Sequence, residues 1–138
     1  MPPRRFVRLF KPRFAPAVER WEKMQTIRPT PKRMPQPGDI ISLRTWEGLP
    51  YRSKQRVLGE AVIVSVEEIH LGELFLRRLN TTFIYGKRSG RKGGMDRFAQ
   101  FDGFADWPDL VEWFRSTHGL PFTGILVRWK RPDTSPAP

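Results

Sequence analysis

The chain has 138 residues and a net charge of +11, with 38% hydrophobic and 12% aromatic residues and no cysteine. The lack of cysteine excludes disulfides, thiolate zinc sites and thiol catalysis. No apolar run approaches the ~20 residues a membrane helix needs, and the start MPPRRFVRLF lacks the apolar stretch of a secretion signal, so a cytoplasmic monomer without membrane contact is expected.

That size suits one domain with a genuine core, expected over residues 6–130, with an N-terminal tail at 1–5 and a disordered Pro-rich tail at 131–138. Phe6 to Phe10 reads as a first strand, Phe6, Arg8 and Phe10 on one face and Val7 and Leu9 on the other. Phe14, Val18 and Trp21 recur at helical spacing, with Pro16 in the first turn, which predicts a helix from Phe14 to about Lys23. Gln25 to Arg28 follows as a brief extended segment, and the prolines after it keep Arg28 and Thr30 extended. PGD then turns the chain into a strand from Ile40 to Thr45, and a polar loop, EGLPYRSKQR, leads into a second strand, GEAVIVSVEEI.

LFLRRL and TTFIY read as two further strands joined near Asn80. GKRSGRKGG, about residues 86–94, has no apolar residue and reads as a mobile basic loop. MDRFAQFDGF is a short helix ending near Gly103. DWPDLVEWFRSTHG is the best helix: Trp107, Leu110, Val111 and Phe114 share a face, Asp106 caps the start, and Gly119 stands where a left-handed residue belongs. GILVRW alternates Ile125, Val127 and Trp129 against Leu126 and Arg128 as a closing strand. The sum is a small α+β domain, most economically a curled mixed sheet or barrel with two or three short flanking helices.

The charge is uneven: residues 1–60 hold fourteen Lys/Arg against five Asp/Glu, residues 101–138 four against five. A field of this sign concentrates polyanions, which makes RNA or another nucleic acid the expected partner. Lys23, Thr26 and Arg28 would place a hydroxyl between two cations, which can hold a phosphate or a polarised carbonyl, or let the lysine act as a base. A solvated helix end is the plain alternative. Asp102, in AQFDGF, is a candidate acid or base in apolar surroundings, or an ordinary turn residue. Lys32 and Arg33 continue the basic Pro-rich rim, and Lys87, Arg88, Arg91 and Lys92 make either an electrostatic finger or a solvated hairpin tip; their loop lacks P-loop spacing. Trp46 and Tyr51, interleaved with Arg44, Arg52 and Lys54, can stack a base or belong to the core. His70 and His118, the only histidines, offer neither metal-ligand spacing nor a Ser-His-Asp order, so neither metal nor cofactor is expected.

In order and spacing, the helix ending in Lys23, then QTIRP (25–29), PGD (37–39), GEAVIVSV (59–66) and DGFADWPDLVEWFRSTHGLPFTGILVRW (102–129) resemble the ASCH domain family. The resemblance implies a PUA-like β-barrel with RNA, nucleotide-like or modified-nucleoside ligands in a cleft. Some small members are amidohydrolases that deacylate acetylated cytidine with a lysine, a threonine and a glutamate; others are ribonuclease-like or plain binding modules. Carried over, the lysine falls on Lys23, the threonine on Thr26 and the glutamate at or near Asp102, a shorter carboxylate. The resemblance thus implies a basic cleft holding Lys23, Thr26 and Arg28 opposite Asp102. It serves binding in one reading, amidohydrolysis in a second and, in a third, nothing more than attachment as a basic adaptor.

Overall fold

A computed structural model describes residues 2–78, 81–84 and 94–132. Asn80, Lys87, Arg88, Arg91, Lys92 and the tail from residue 133 lie outside the described residues. The order is β1 (Arg5–Leu9), α1 (Ala15–Glu19), β2 (Gln25–Pro29), β3 (Ile40–Trp46), β4 (Gln55–Leu71), β5 (Phe75–Arg78), β6 (Thr81–Ile84), α2 (Gly94–Phe101), α3 (Trp107–Thr117) and β7 (Phe122–Lys130). The expected α+β class is what forms. The sheet is mixed: β1 runs parallel to β3, while the steps β3 to β4, β4 to β5 and β5 to β6 are antiparallel, and β7 pairs with both β4 and β2. Among the described residues β1, β2 and β6 each have one partner strand, and no pairing closes the sheet into a barrel.

The described residues pack as two compact units, one drawn from Met1–Met24, Pro35–Val66 and Arg128–Pro138 and the other from Gln25–Met34 and Glu67–Val127. In the first, Phe6 and Phe10 bury the predicted face of β1. The backbone N–H of Phe10 donates to Arg44 O at 2.8 Å and Thr45 Oγ1 donates to Phe10 O at 2.7 Å, so the parallel contact continues past the strand. The PGD turn is fastened by Asp39, whose carboxylate accepts from the backbone N–H of Arg4 and of Gln36 and from the Arg4 guanidinium.

The first helix is shorter than its apolar spacing predicts. Trp21 adopts φ +62°, its N–H donates to Val18 O, and the N–H of Glu22 donates to Ala17 O. These two bonds around a left-handed residue are the Schellman stop, with tryptophan where glycine is usual. The left-handed backbone costs about 1–2 kcal/mol in a residue with a side chain. Ring contacts offset it: Gly59 lies so near that a Cβ there would be 3.1 Å from Trp21 Cζ2, and the Arg131 guanidinium sits 5.2 Å from the indole centroid.

The strand after the polar loop begins at Gln55 rather than Gly59, so that loop closes sooner than predicted. Leu43 pairs with Gly59 and Arg44 with Val57, which leaves Leu58 as an extra residue in β4, a β-bulge. Of β4's two faces, the one carrying Ala61 and Ile63 is buried, and Val64 faces outward.

In the second unit the predicted stripe Trp107, Leu110, Val111 and Phe114 is buried along α3. The Asp106 carboxylate caps the helix by accepting from Asp109 N–H, and Gly119 follows it at φ +84°. The indole N–H of Trp107 donates to Glu73 O at 2.8 Å. β7 is buried on both faces from Gly124 to Val127, which requires cover above and below the sheet as well as the strands at its edges.

Burial alone would raise the Asp39 carboxyl, but the N–H groups of Gln36 and Arg4 and then the Arg4 charge outweigh it and hold the group below its ordinary value. A lowered folded value contributes stability above the unfolded carboxyl's value, and that contribution is lost as pH falls through the folded one. Asp39→Asn should therefore lower the denaturation midpoint most near neutral pH, with the gap to wild type closing on acidification. Urea melts at stepped pH measure it; a gap that does not change with pH would refute the clamp.

Candidate functional site

β2 carries three buried residues in a row, Gln25, Thr26 and Ile27, which a strand allows only when both faces are covered. Its pairing with β7 is close: a Cβ on Gly124 would come within 2.2 Å of Arg28 O, so only glycine fits there. As the two-residue repeat predicts, Thr26 and Arg28 share a side, and Arg28 Nε donates to Thr26 Oγ1 at 3.0 Å.

Asp102 reaches the same unit from the end of α2. Gly103 at φ +96°, with bonds from Gly103 N–H to Gln100 O and from Phe104 N–H to Ala99 O, forms a second Schellman stop. Asp102 is thereby held as the residue just past the helix, 3% exposed, and its Oδ1 accepts a hydrogen bond from Gln25 Nε2 at 3.1 Å. Gln25 is the residue that sequence reasoning missed. Its signal was an amide two places before Ile27, on a strand side that should be apolar.

Lys23 belongs to the first unit. It is 3% exposed, with its ammonium 5.3 Å from the Phe14 ring centroid and 5.8 Å from that of Phe10. Such contacts are worth about 0.5–2 kcal/mol and are one way to hold a desolvated cation. Lys32 and Arg33 are exposed in the segment after β2.

The β3–β4 hairpin gathers five of the candidate residues in the first unit. Arg44 is held by neutral partners, Nε donating to Ser42 Oγ and Nη1 to Gln55 Oε1. The rings of Trp46 and Tyr51 lie 5.2 Å apart at 50°. The tip is well tied: Glu47 N–H donates to Lys54 O, Gly48 N–H to Ser53 Oγ, and Ser53 Oγ to Leu49 O. Arg52 N–H donates to Leu49 O across Pro50 and Tyr51, and Tyr51 has φ +63°. This is the pattern of a type II turn, with proline second and tyrosine third, where glycine normally stands. The Tyr51 side is nevertheless open, the residue being 86% exposed. Arg52 and Lys54 are exposed beside it.

Among the described residues, no three His, Cys, Asp or Glu side chains gather as metal ligands, and no helix is long and apolar enough to cross a membrane. Comparison with family models, curated proteins and solved structures finds no match.

The bond between Gln25 and Asp102 generates a direct test. Gln25→Leu should destabilise the fold by about 1–3 kcal/mol, because it leaves a buried acceptor without that donor. The same substitution on an Asp102→Leu background should cost much less, and a thermodynamic cycle from chemical denaturation measures the coupling. Additive losses would show that the two side chains do not interact.

Proposed function

We propose that the protein binds single-stranded nucleic acid, RNA by the ASCH resemblance, at the tip of the β3–β4 hairpin. One observation carries this reading: Tyr51 occupies the glycine position of its turn while its ring stands in solvent against Trp46. A left-handed tyrosine costs about 1–2 kcal/mol, and here burial returns little of it. Strain of this kind, kept at an exposed aromatic, is a mark of a working surface. A ring pair flanked by Arg44, Arg52 and Lys54 matches what unstacked bases and phosphates need: π faces for stacking and cations for the backbone. The net charge of +11 supplies sequence-independent attraction. A curled, PUA-like sheet and a cytoplasmic setting belong to the same proposal.

The test separates fold from function. Tyr51→Gly should raise the melting temperature slightly, because it relieves the turn. It should also weaken binding of a short single-stranded RNA by roughly tenfold or more, in line with about 1–3 kcal/mol per stacked base. Fluorescence anisotropy at fixed salt reads the affinity. Unchanged affinity in the glycine variant would overturn the assignment.

A second reading rests on the burial of Lys23, Thr26 and Asp102, which are 3%, 4% and 3% exposed and are the positions to which the resemblance assigns amidohydrolase roles. In that reading Thr26 is activated or positions a water, Arg28 steadies the developing oxyanion and Asp102 moves a proton, and the resemblance alone assigns the base to Lys23. Incubation with N-acylated cytidines, followed by mass, should give free cytidine with wild type and none with Lys23→Ala or Thr26→Ala. Equal turnover by all three proteins, or none by any, would remove the catalytic reading.

A further inference from the structure

The sequence offers no Ser-His-Asp order, yet the second unit assembles a related constellation from two strands. Glu68 and His70 are two apart on β4 and so emerge on one face, and β7, which pairs with β4, brings Thr123 to the same place. His70 Nε2 lies 2.8 Å from Glu68 Oε1, and its Nδ1 lies 3.0 Å from Thr123 Oγ1. With a neutral imidazole, Nε2–H donates to the carboxylate and Nδ1 accepts from the threonine hydroxyl. One arrangement then fixes both the tautomer and the direction of the base.

Beside this line of three is a hollow of about 200 Å³, lined by Glu68, His70, Arg77 and Arg78. Arg77 is the cross-strand neighbour of His70. Arg78 is paired with Glu67 at 2.5 Å, whereas Arg77 has no carboxylate partner among the described residues. The hollow is therefore lined by an oriented base and by a cation in no ion pair among the described residues, and the Thr123 hydroxyl stands next to that base.

We propose that Thr123, His70 and Glu68 form an acyl-transfer site for small carboxylic esters, separate from the residues discussed above. Thr123 Oγ1 bonds to the ester carbonyl carbon as His70 Nδ1 takes the hydroxyl proton. Arg77 faces the oxygen on which negative charge develops. The carbon–oxygen bond to the leaving group breaks, and that alcohol departs with the proton from Nδ1. Water then attacks the acyl-threonine and gives its proton to Nδ1. The proton passes to the threonine oxygen as the carboxylic acid leaves, which restores all groups. Glu68 acts through His70 and is a positioning residue.

The probe is p-nitrophenyl acetate, with full-length protein, release of nitrophenolate followed by absorbance and acetylated peptides located by mass. Wild type is expected to carry acetyl on Thr123 and to turn over about a hundredfold faster than Thr123→Ala, the scale of a positioned general base. Thr123→Ser should keep turnover. Glu68→Gln should lower the acetylation rate with KM unchanged, a split that a purely structural role would not give. Melting temperatures taken alongside show that Thr123→Ala remains folded. Acetyl found only on lysines, or Thr123→Ala hydrolysing at the wild-type rate, would overturn the proposal.

Discussion

One extra residue in β4 decides what the hairpin presents to solvent. Side chains alternate along a strand, so a one-residue slip exchanges its two faces. With Leu58 left opposite no residue of β3, Arg44 stands across from Val57 and Trp46 across from Gln55, while Leu58 itself is buried. Without the bulge, Leu58 would lie beside half-exposed Arg44, and Val57 beside buried Thr45. The slip therefore lets apolar packing below the bulge coexist with a polar, aromatic tip above it. It also places Gln55 where it can hold the Arg44 guanidinium.

The net charge describes this surface less well than the way its cations are partnered. Arg5 pairs with Glu60, Arg20 with Glu22, Arg56 with Glu19, and Arg115 with both Glu73 and Glu112. Pairs of this exposed kind contribute little to stability, yet they cancel charge locally. Among the described residues no carboxylate pairs with Arg44, Arg52 or Lys54. Positive potential is thus left where the aromatic pair is, and under the proposed function a polyanion would meet it with no internal carboxylate competing.

What the sequence made legible was local. Asp106 before an apolar stripe and Gly119 after it delimit α3 because capping and the left-handed stop depend on a few neighbouring residues. The shared side of Thr26 and Arg28 follows from strand alternation alone. Other features depend on partners far along the chain. Trp21 reads as helical by spacing, and only Gly59 and Arg131 explain how it sustains a left-handed stop. Gln25 is an amide in a strand until Asp102 arrives from 77 residues away. Glu68, His70 and Thr123 follow no catalytic order in sequence because strand pairing, rather than chain order, aligns them. The bulge at Leu58 leaves no local mark, since Leu58 is as suitable for one face as for the other.

Among the described residues, two aromatic residues occupy left-handed backbone, and their surroundings give the same strain opposite meanings. Trp21 is covered by Gly59 and Arg131, so its conformation serves internal packing. Tyr51 is held by the bond from Arg52 to Leu49, the fixed φ of Pro50 and the ring of Trp46, while its outer face stays open. Its backbone direction is set before anything binds. Under the proposed function, a base settling on that ring would immobilise little that was moving, so association would forfeit less conformational entropy than at a flexible tip. Folding has already borne that ordering, so the tip is preorganised for the ligand proposed for it.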